Sequence, residues 1–188
     1  PQWLWWILRV GALNGVCFLV YLLLTHPSLG LTLVWGLLVP SLPLVFLVAP
    51  GIWRNSCPFA FMNQLPRTLG LSLSIKAPPW LANASYTIGI GLLLALLIGR
   101  KLLFNQNATA TAGLLLFMLL GGFLGGVIFK GKSGWCSSVC PMLPIQRLYG
   151  QSPFMVAPNA YCKPCVGCTK NCYDFNPTVA YLADLYDD

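Results

Sequence analysis

The chain has 188 residues, of which 57% are hydrophobic and 8% charged, with a net charge of +7. A typical soluble domain carries about 25% charged residues, so this composition excludes an ordinary water-soluble globule. The positive charge reflects scarce acids (four Asp, all at or beyond Asp174) rather than a basic patch. The Lys and Arg stand singly or in pairs with no aromatic platform between them, which argues against nucleic-acid binding.

Four apolar segments are long enough to cross a bilayer, which takes about 20 residues. They cover residues 3–24, 29–48, 80–99 and 110–129. Trp3, Trp5 and Trp6 at the start of the first resemble an interfacial aromatic belt. Arg9 is expected to snorkel to the near interface, with a polar site as the alternative. Cys17 reads as a small buried hydrophobe. Pro40 and Pro43 should kink the second span, leaving carbonyls that neighbours must satisfy. In the fourth, Gly121, Gly122, Gly125 and Gly126 form two overlapping small-xxx-small pairs that admit another helix at close range.

An even number of spans puts the N-terminus, the loop 49–79 and everything after Lys130 on one side. That side holds Arg54, Arg67, Lys76, Lys130, Lys132, Arg147, Lys163 and Lys170, and the other holds Arg100, Lys101 and His26. The positive-inside rule places the richer side in the cytoplasm. Thiols stay reduced there, so clustered cysteines point to metal rather than to disulfides.

Seven of the eight cysteines fall on that side: Cys57, Cys136, Cys140, Cys162, Cys165, Cys168 and Cys172. Cys162–Cys172 reads CKPCVGCTKNC, the C-x2-C-x2-C-x3-C spacing of a bacterial ferredoxin run. Zinc sites more often pair two C-x2-C knuckles across a longer spacer, so the spacing favours a 4Fe–4S cluster. Upstream lies Cys136-x3-Cys140-Pro141, and between the second and third spans lies Cys57-Pro58. Gln64 and Gln146 follow the two Cys-Pro motifs at similar distances, and Trp53 stands four residues before Cys57. This reads as a degenerate internal repeat: two spans, then a Cys-Pro motif, twice.

Four spans, Cys-Pro motifs after the second and fourth, and a ferredoxin-type run resemble the NapH/NosR family of membrane 4Fe–4S proteins, to which the CcoG (RdxA/FixG) proteins are related. The likeness covers nearly the whole chain in layout and a much shorter stretch in motif. It implies that Cys136 and Cys140 are a C-x3-C-P pair. Cys57 would be the remnant of a first pair, its partner replaced by Trp53, and Cys162, Cys165, Cys168 and Cys172 would be a cluster run. It also implies electron transfer between the quinone pool, or another membrane donor, and a partner enzyme. One ferredoxin run is present where NapH-like proteins carry two.

The fourth ligand stays open. In ferredoxin pairing, Cys162, Cys165 and Cys168 share a cluster with Cys140, and Cys172 joins Cys136 and Cys57 at a second site one ligand short. In a self-contained run, Cys172 closes its own cluster; in a third arrangement a further segment or a partner supplies the remaining ligands. The expected fold is an all-α membrane protein. A four-helix transmembrane domain spans 1–130, with a cytoplasmic loop at 49–79, and a small cytoplasmic ferredoxin-like iron–sulfur tail spans 131–188. The expected function is a membrane-anchored iron–sulfur electron-transfer subunit of a redox complex in a prokaryotic inner (plasma) membrane. Its partners would be lipid, other subunits and a quinone near Arg9 and the aromatic N-terminus. The alternatives are a metal-handling assembly factor using the C-x3-C-P thiols, or a structural subunit whose tail a cluster stabilises. No dinucleotide, Walker A or c-type haem motif is present, and with His26 alone bis-histidine haem ligation within the chain is ruled out.

Overall fold

The computed structural model describes residues 2–75, 78–129, 135–136, 138–149 and 154–155. Among the described residues, four helical stretches are long and apolar enough to cross a membrane: Trp3–Thr25, Pro27–Val48, Asn83–Phe104 and Ala108–Ile128. The four expected spans are thus present, with ends shifted by a few residues. Buried backbone in hydrocarbon must satisfy itself, and helices do so within each segment. The first span is α1 (Gln2–Thr25). Chain reversal at His26 leads into α2 (Pro27–Leu31), where proline at the first turn suits a helix start.

The second span is not one uniform helix. After α2 the chain forms a π-helical stretch at Thr32–Leu38, then α3 at Val39–Val48. The N–H of Val39 donates to the carbonyl of Val34, five residues back. The carbonyl of Trp35 would next take the N–H of residue 40, but Pro40 has none. Arg100 fills the gap, donating from its guanidinium to the Trp35 carbonyl at 3.0 Å. The expectation that neighbours satisfy the carbonyls freed by proline is met by a side chain from the third span.

That third span comprises α6 (Pro79–Gly99) and a π-helical turn at Arg100–Phe104. The fourth is α7 (Ala108–Ile128), capped by the Asn107 side chain, which accepts from the Ala110 N–H at 3.0 Å. At this end of the bundle Val20, Leu23, Val34, Trp35, Ala108 and Ala112 form an apolar core. Trp35 Nε1 donates to Thr111 Oγ1 at 3.2 Å, and Thr111 donates on to the Phe104 carbonyl at 2.6 Å.

The segment 49–79, expected as a loop, is largely helical: α4 spans Pro50–Ser56 and α5 spans Pro58–Thr68. It returns to the N-terminal end of α1, where Trp6 meets Phe61 edge-on at 5.6 Å. Arg9 Nε donates to the Asn55 carbonyl at 3.0 Å, and Arg9 is buried. Arg9 therefore does not snorkel; it ties α1 to the end of α4. Cys17, expected to be buried, is exposed on α1.

The glycines of α7 meet α5. Gly122 accepts from the Asn63 side-chain amide at 3.0 Å, and a β-carbon on Gly126 would collide with the Asn63 backbone carbonyl. Close approach of a second helix was expected from the glycine spacing; the partner is a short helix outside the four spans. The expectation of a ferredoxin-like tail is corrected. Among the described residues no β-sheet exists, only one isolated bridge between Ile75 and Phe129. The described part of the tail forms turns and one short helix, α8 (Leu143–Tyr149).

Candidate functional site: the paired Cys-Pro motifs

Both Cys-Pro motifs introduce a short helix. Cys57 caps α5 with Pro58 in its first turn, a position where proline's missing N–H is not needed. The Cys57 N–H donates back to the Trp53 carbonyl at 2.7 Å, and the Cys57 carbonyl accepts from Phe61 at 2.9 Å. In the second motif the Cys140 N–H donates to the Trp135 carbonyl at 3.0 Å, and the Cys140 carbonyl accepts from Leu143 at 3.1 Å. Each short helix then buries a glutamine, Gln64 on α5 and Gln146 on α8.

The two halves exchange these helices. α5, which follows the first pair of spans, packs on α7 of the second pair and also on α1. α8, which follows the second pair, packs on α3 of the first pair and also on α6. The chain beyond each helix repeats the exchange. Leu73 and Ile75 donate to the carbonyls of Val127 and Ile128 at the end of α7. Phe154 and Met155 donate to those of Leu47 and Val48 at the end of α3. The two repeats thus interlock through their short helices, and the repeat read from the Cys-Pro motifs is visible in the packing.

Three thiols gather at this junction. Cys57, Cys136 and Cys140 pack with Ala60, Phe59, Met118, Trp135 and Val139. Cys136 is buried; Cys57 and Cys140 are partly exposed. Although Cys140 as a residue reaches the surface, burial pushes its thiol up from 9.0 to about 12. A charge on Cys57 adds to the rise, and hydrogen bonds from the backbone at Met142 and Leu143 oppose it. At neutral pH the thiol is therefore protonated and a poor nucleophile.

Among the described residues no group of three or more His, Cys, Asp or Glu is placed to hold a metal ion. Cys57, Cys136 and Cys140 thus do not assemble the iron–sulfur site expected of them. The expectations of a 4Fe–4S cofactor, an electron relay through it and thiol metal handling are corrected accordingly. Cys162, Cys165, Cys168 and Cys172 lie outside the described residues.

Sequence reasoning named Gln64 and Gln146 only as markers of the repeat and missed that they are buried along with other polar residues. Asn55, Asn63, Gln64, Ser138 and Gln146 are buried here together with Arg9. Gln64 Nε2 donates to Asn63 Oδ1 at 3.4 Å. The signal was available: a proline directly after Cys57, then polar residues interleaved with Phe59, Phe61 and Leu65, marks an amphipathic helix start. Comparison with protein-family models, curated proteins and solved structures returned no match.

Proposed function

We propose that this chain is a membrane anchor subunit of the NapH/NosR kind, seated in a prokaryotic inner (plasma) membrane. Its Cys-Pro motifs face the cytoplasm, and its third span is the face on which another subunit of a membrane redox complex docks. The thiols of the Cys-Pro junction act as packing groups that clasp the two repeats together. The observation that supports this most is the contrast in burial among the spans. Only 6% of the third span's apolar window is buried, against 28%, 22% and 33% for the others. Gly91 and Ala95 lie exposed along it, in the spacing that lets a second helix approach. Arg54 at the end of α4 and Arg67 at the end of α5 favour the cytoplasmic side. A quinone is not part of the proposal, because the Nε of Arg9, the cation invoked to meet it, bonds Asn55.

A photo-crosslinking residue at Leu94, exposed on the third span, tests this in the native membrane. The expected result is one discrete protein adduct that disappears when Gly91 and Ala95 are replaced by Leu. Adducts to lipid alone would remove the anchoring reading.

A further inference from the structure

The bundle end opposite the Cys-Pro motifs carries a cleft of about 330 Å³ lined by Leu97, Arg100, Lys101 and Asn105. Arg100 and Lys101 lie in the last turn of the third span, at the depth where cationic side chains reach the interface. Among the described residues there is no Asp or Glu, so none of them balances the two cations with a carboxylate.

Backbone geometry assembles the lining. In an α-helix, residues five apart diverge by about 140°. Here the Asn105 N–H donates to the Arg100 carbonyl at 2.9 Å, a five-residue step that brings Asn105 over Arg100. Arg100 is also held in place. It donates to the Trp35 carbonyl at 3.0 Å and lies 5.4 Å from the centre of the Trp35 ring. That bond uses one of five guanidinium N–H donors. Leu97 lies one turn deeper and is exposed, whereas Lys101 and Asn105 lie toward the span's end.

We infer that this cleft binds the phosphate of an anionic phospholipid in the leaflet opposite the Cys-Pro motifs. The order of groups along the membrane normal matches such a lipid. Leu97 meets the acyl chain, Arg100 and Lys101 meet the phosphate, and Asn105 meets the polar headgroup. The guanidinium fork suits a phosphate geometrically, and Lys101 adds a point charge that reaches the interface on its aliphatic stem. A free phosphate ion offers the same chemistry without the acyl contact.

The test uses the full chain in nanodiscs of mixed phosphatidylglycerol and phosphatidylcholine. Bound lipid is identified by native mass spectrometry after release. The expected result is selective retention of phosphatidylglycerol. That selectivity should fall about fivefold in Lys101→Gln, the effect of one interfacial charge. Lys101 is exposed, so the variant should fold, and a wild-type melting midpoint verifies it. Arg100→Gln should lower selectivity further. Equal retention of both lipids, or a Lys101→Gln variant as selective as wild type, overturns the inference. Inorganic phosphate, added alone to the detergent-solubilised protein, is the second arm. Binding that depends on Lys101 in the absence of lipid would assign the cleft to a free anion and overturn the lipid reading.

Discussion

Arg100 donates to the backbone carbonyl of Trp35 at 3.0 Å, where the π-helical register would call on the N–H that Pro40 does not have. A side chain of the third span thus completes the backbone of the second. The two residues should be coupled energetically. Arg100→Met is expected to destabilise the protein by about 1.5–3 kcal/mol, the range for a hydrogen bond from a charged group. In a Pro40→Ala background, which restores a backbone donor, the same substitution should cost much less. Thermal unfolding of the four proteins in detergent closes this double-mutant cycle. Equal costs in both backgrounds would show that the proline is not why Arg100 matters.

The contact of α5 with α7 leaves no room for a methyl group at Gly126. Gly126→Ala is expected to destabilise by at least the ~1–3 kcal/mol of an overpacked core, since the obstructing atom is backbone. Gly113 on the same helix is exposed and has nothing within 4 Å of an added β-carbon. Gly113→Ala should be neutral or stabilising, as alanine favours helix by about 0.8–1.0 kcal/mol. Melting midpoints of the two variants should move in opposite directions, or Gly126 alone should fall.

Two buried tryptophans should answer differently to Phe. Trp35 Nε1 bonds Thr111, and polar pairs between membrane helices average about 0.6 kcal/mol and reach about 1.7. Trp35→Phe should lose an amount in that range as well as packing. Trp135 Nε1 is buried with no hydrogen-bond partner among the described residues. Trp135→Phe also loses packing, but it removes an unpaired donor rather than a hydrogen bond, so it should cost less than Trp35→Phe. A Trp135→Phe protein less stable than Trp35→Phe would contradict this ordering.

Burial holds the Cys140 thiol at about 12 instead of 9.0. The folded protein therefore binds this proton more tightly than the unfolded chain. Its contribution to stability is complete below about 9.0 and is lost as pH rises through about 12. Alkylation follows the thiolate. Labelling of Cys140, read by peptide mass spectrometry, should stay slow in native protein at the pH where it becomes fast in SDS. A native rate that climbs in step with the denatured one would show a solvated thiol.

The spans were legible because length and apolar composition suffice to identify them. The glycine face of α7 was legible because close approach needs a missing β-carbon, which leaves a periodic trace. The repeat showed through Cys57-Pro58 and Cys140-Pro141, since each pair stands just before a short helix: Pro58 opens α5, and Pro141 lies two residues before α8. Arg9 was misread because nothing in its own segment reveals that the carbonyl of Asn55 lies beside it. The π-helical turns left no composition signal either. They arise from register and proline placement, and they show only when Trp35 and Arg100 meet. The cysteine spacing misled at Cys57, Cys136 and Cys140 for a related reason. Spacing along the chain reports what a thiol can reach, whereas the fold decides which thiols converge, and among the described residues no group of three or more ligand side chains does.

The exchange of short helices between the repeats has a consequence for synthesis. α5 ends at Thr68, but the helix that covers it ends at Ile128. At about 5–20 residues per second, the nascent chain waits roughly 3–12 s with Asn63 and Gln64 uncovered beneath the bilayer. During that interval the first half should be open to quality-control proteases. A chain stopped before α7 should therefore be cleared from the membrane, and resupplying the second half as a separate polypeptide should rescue it.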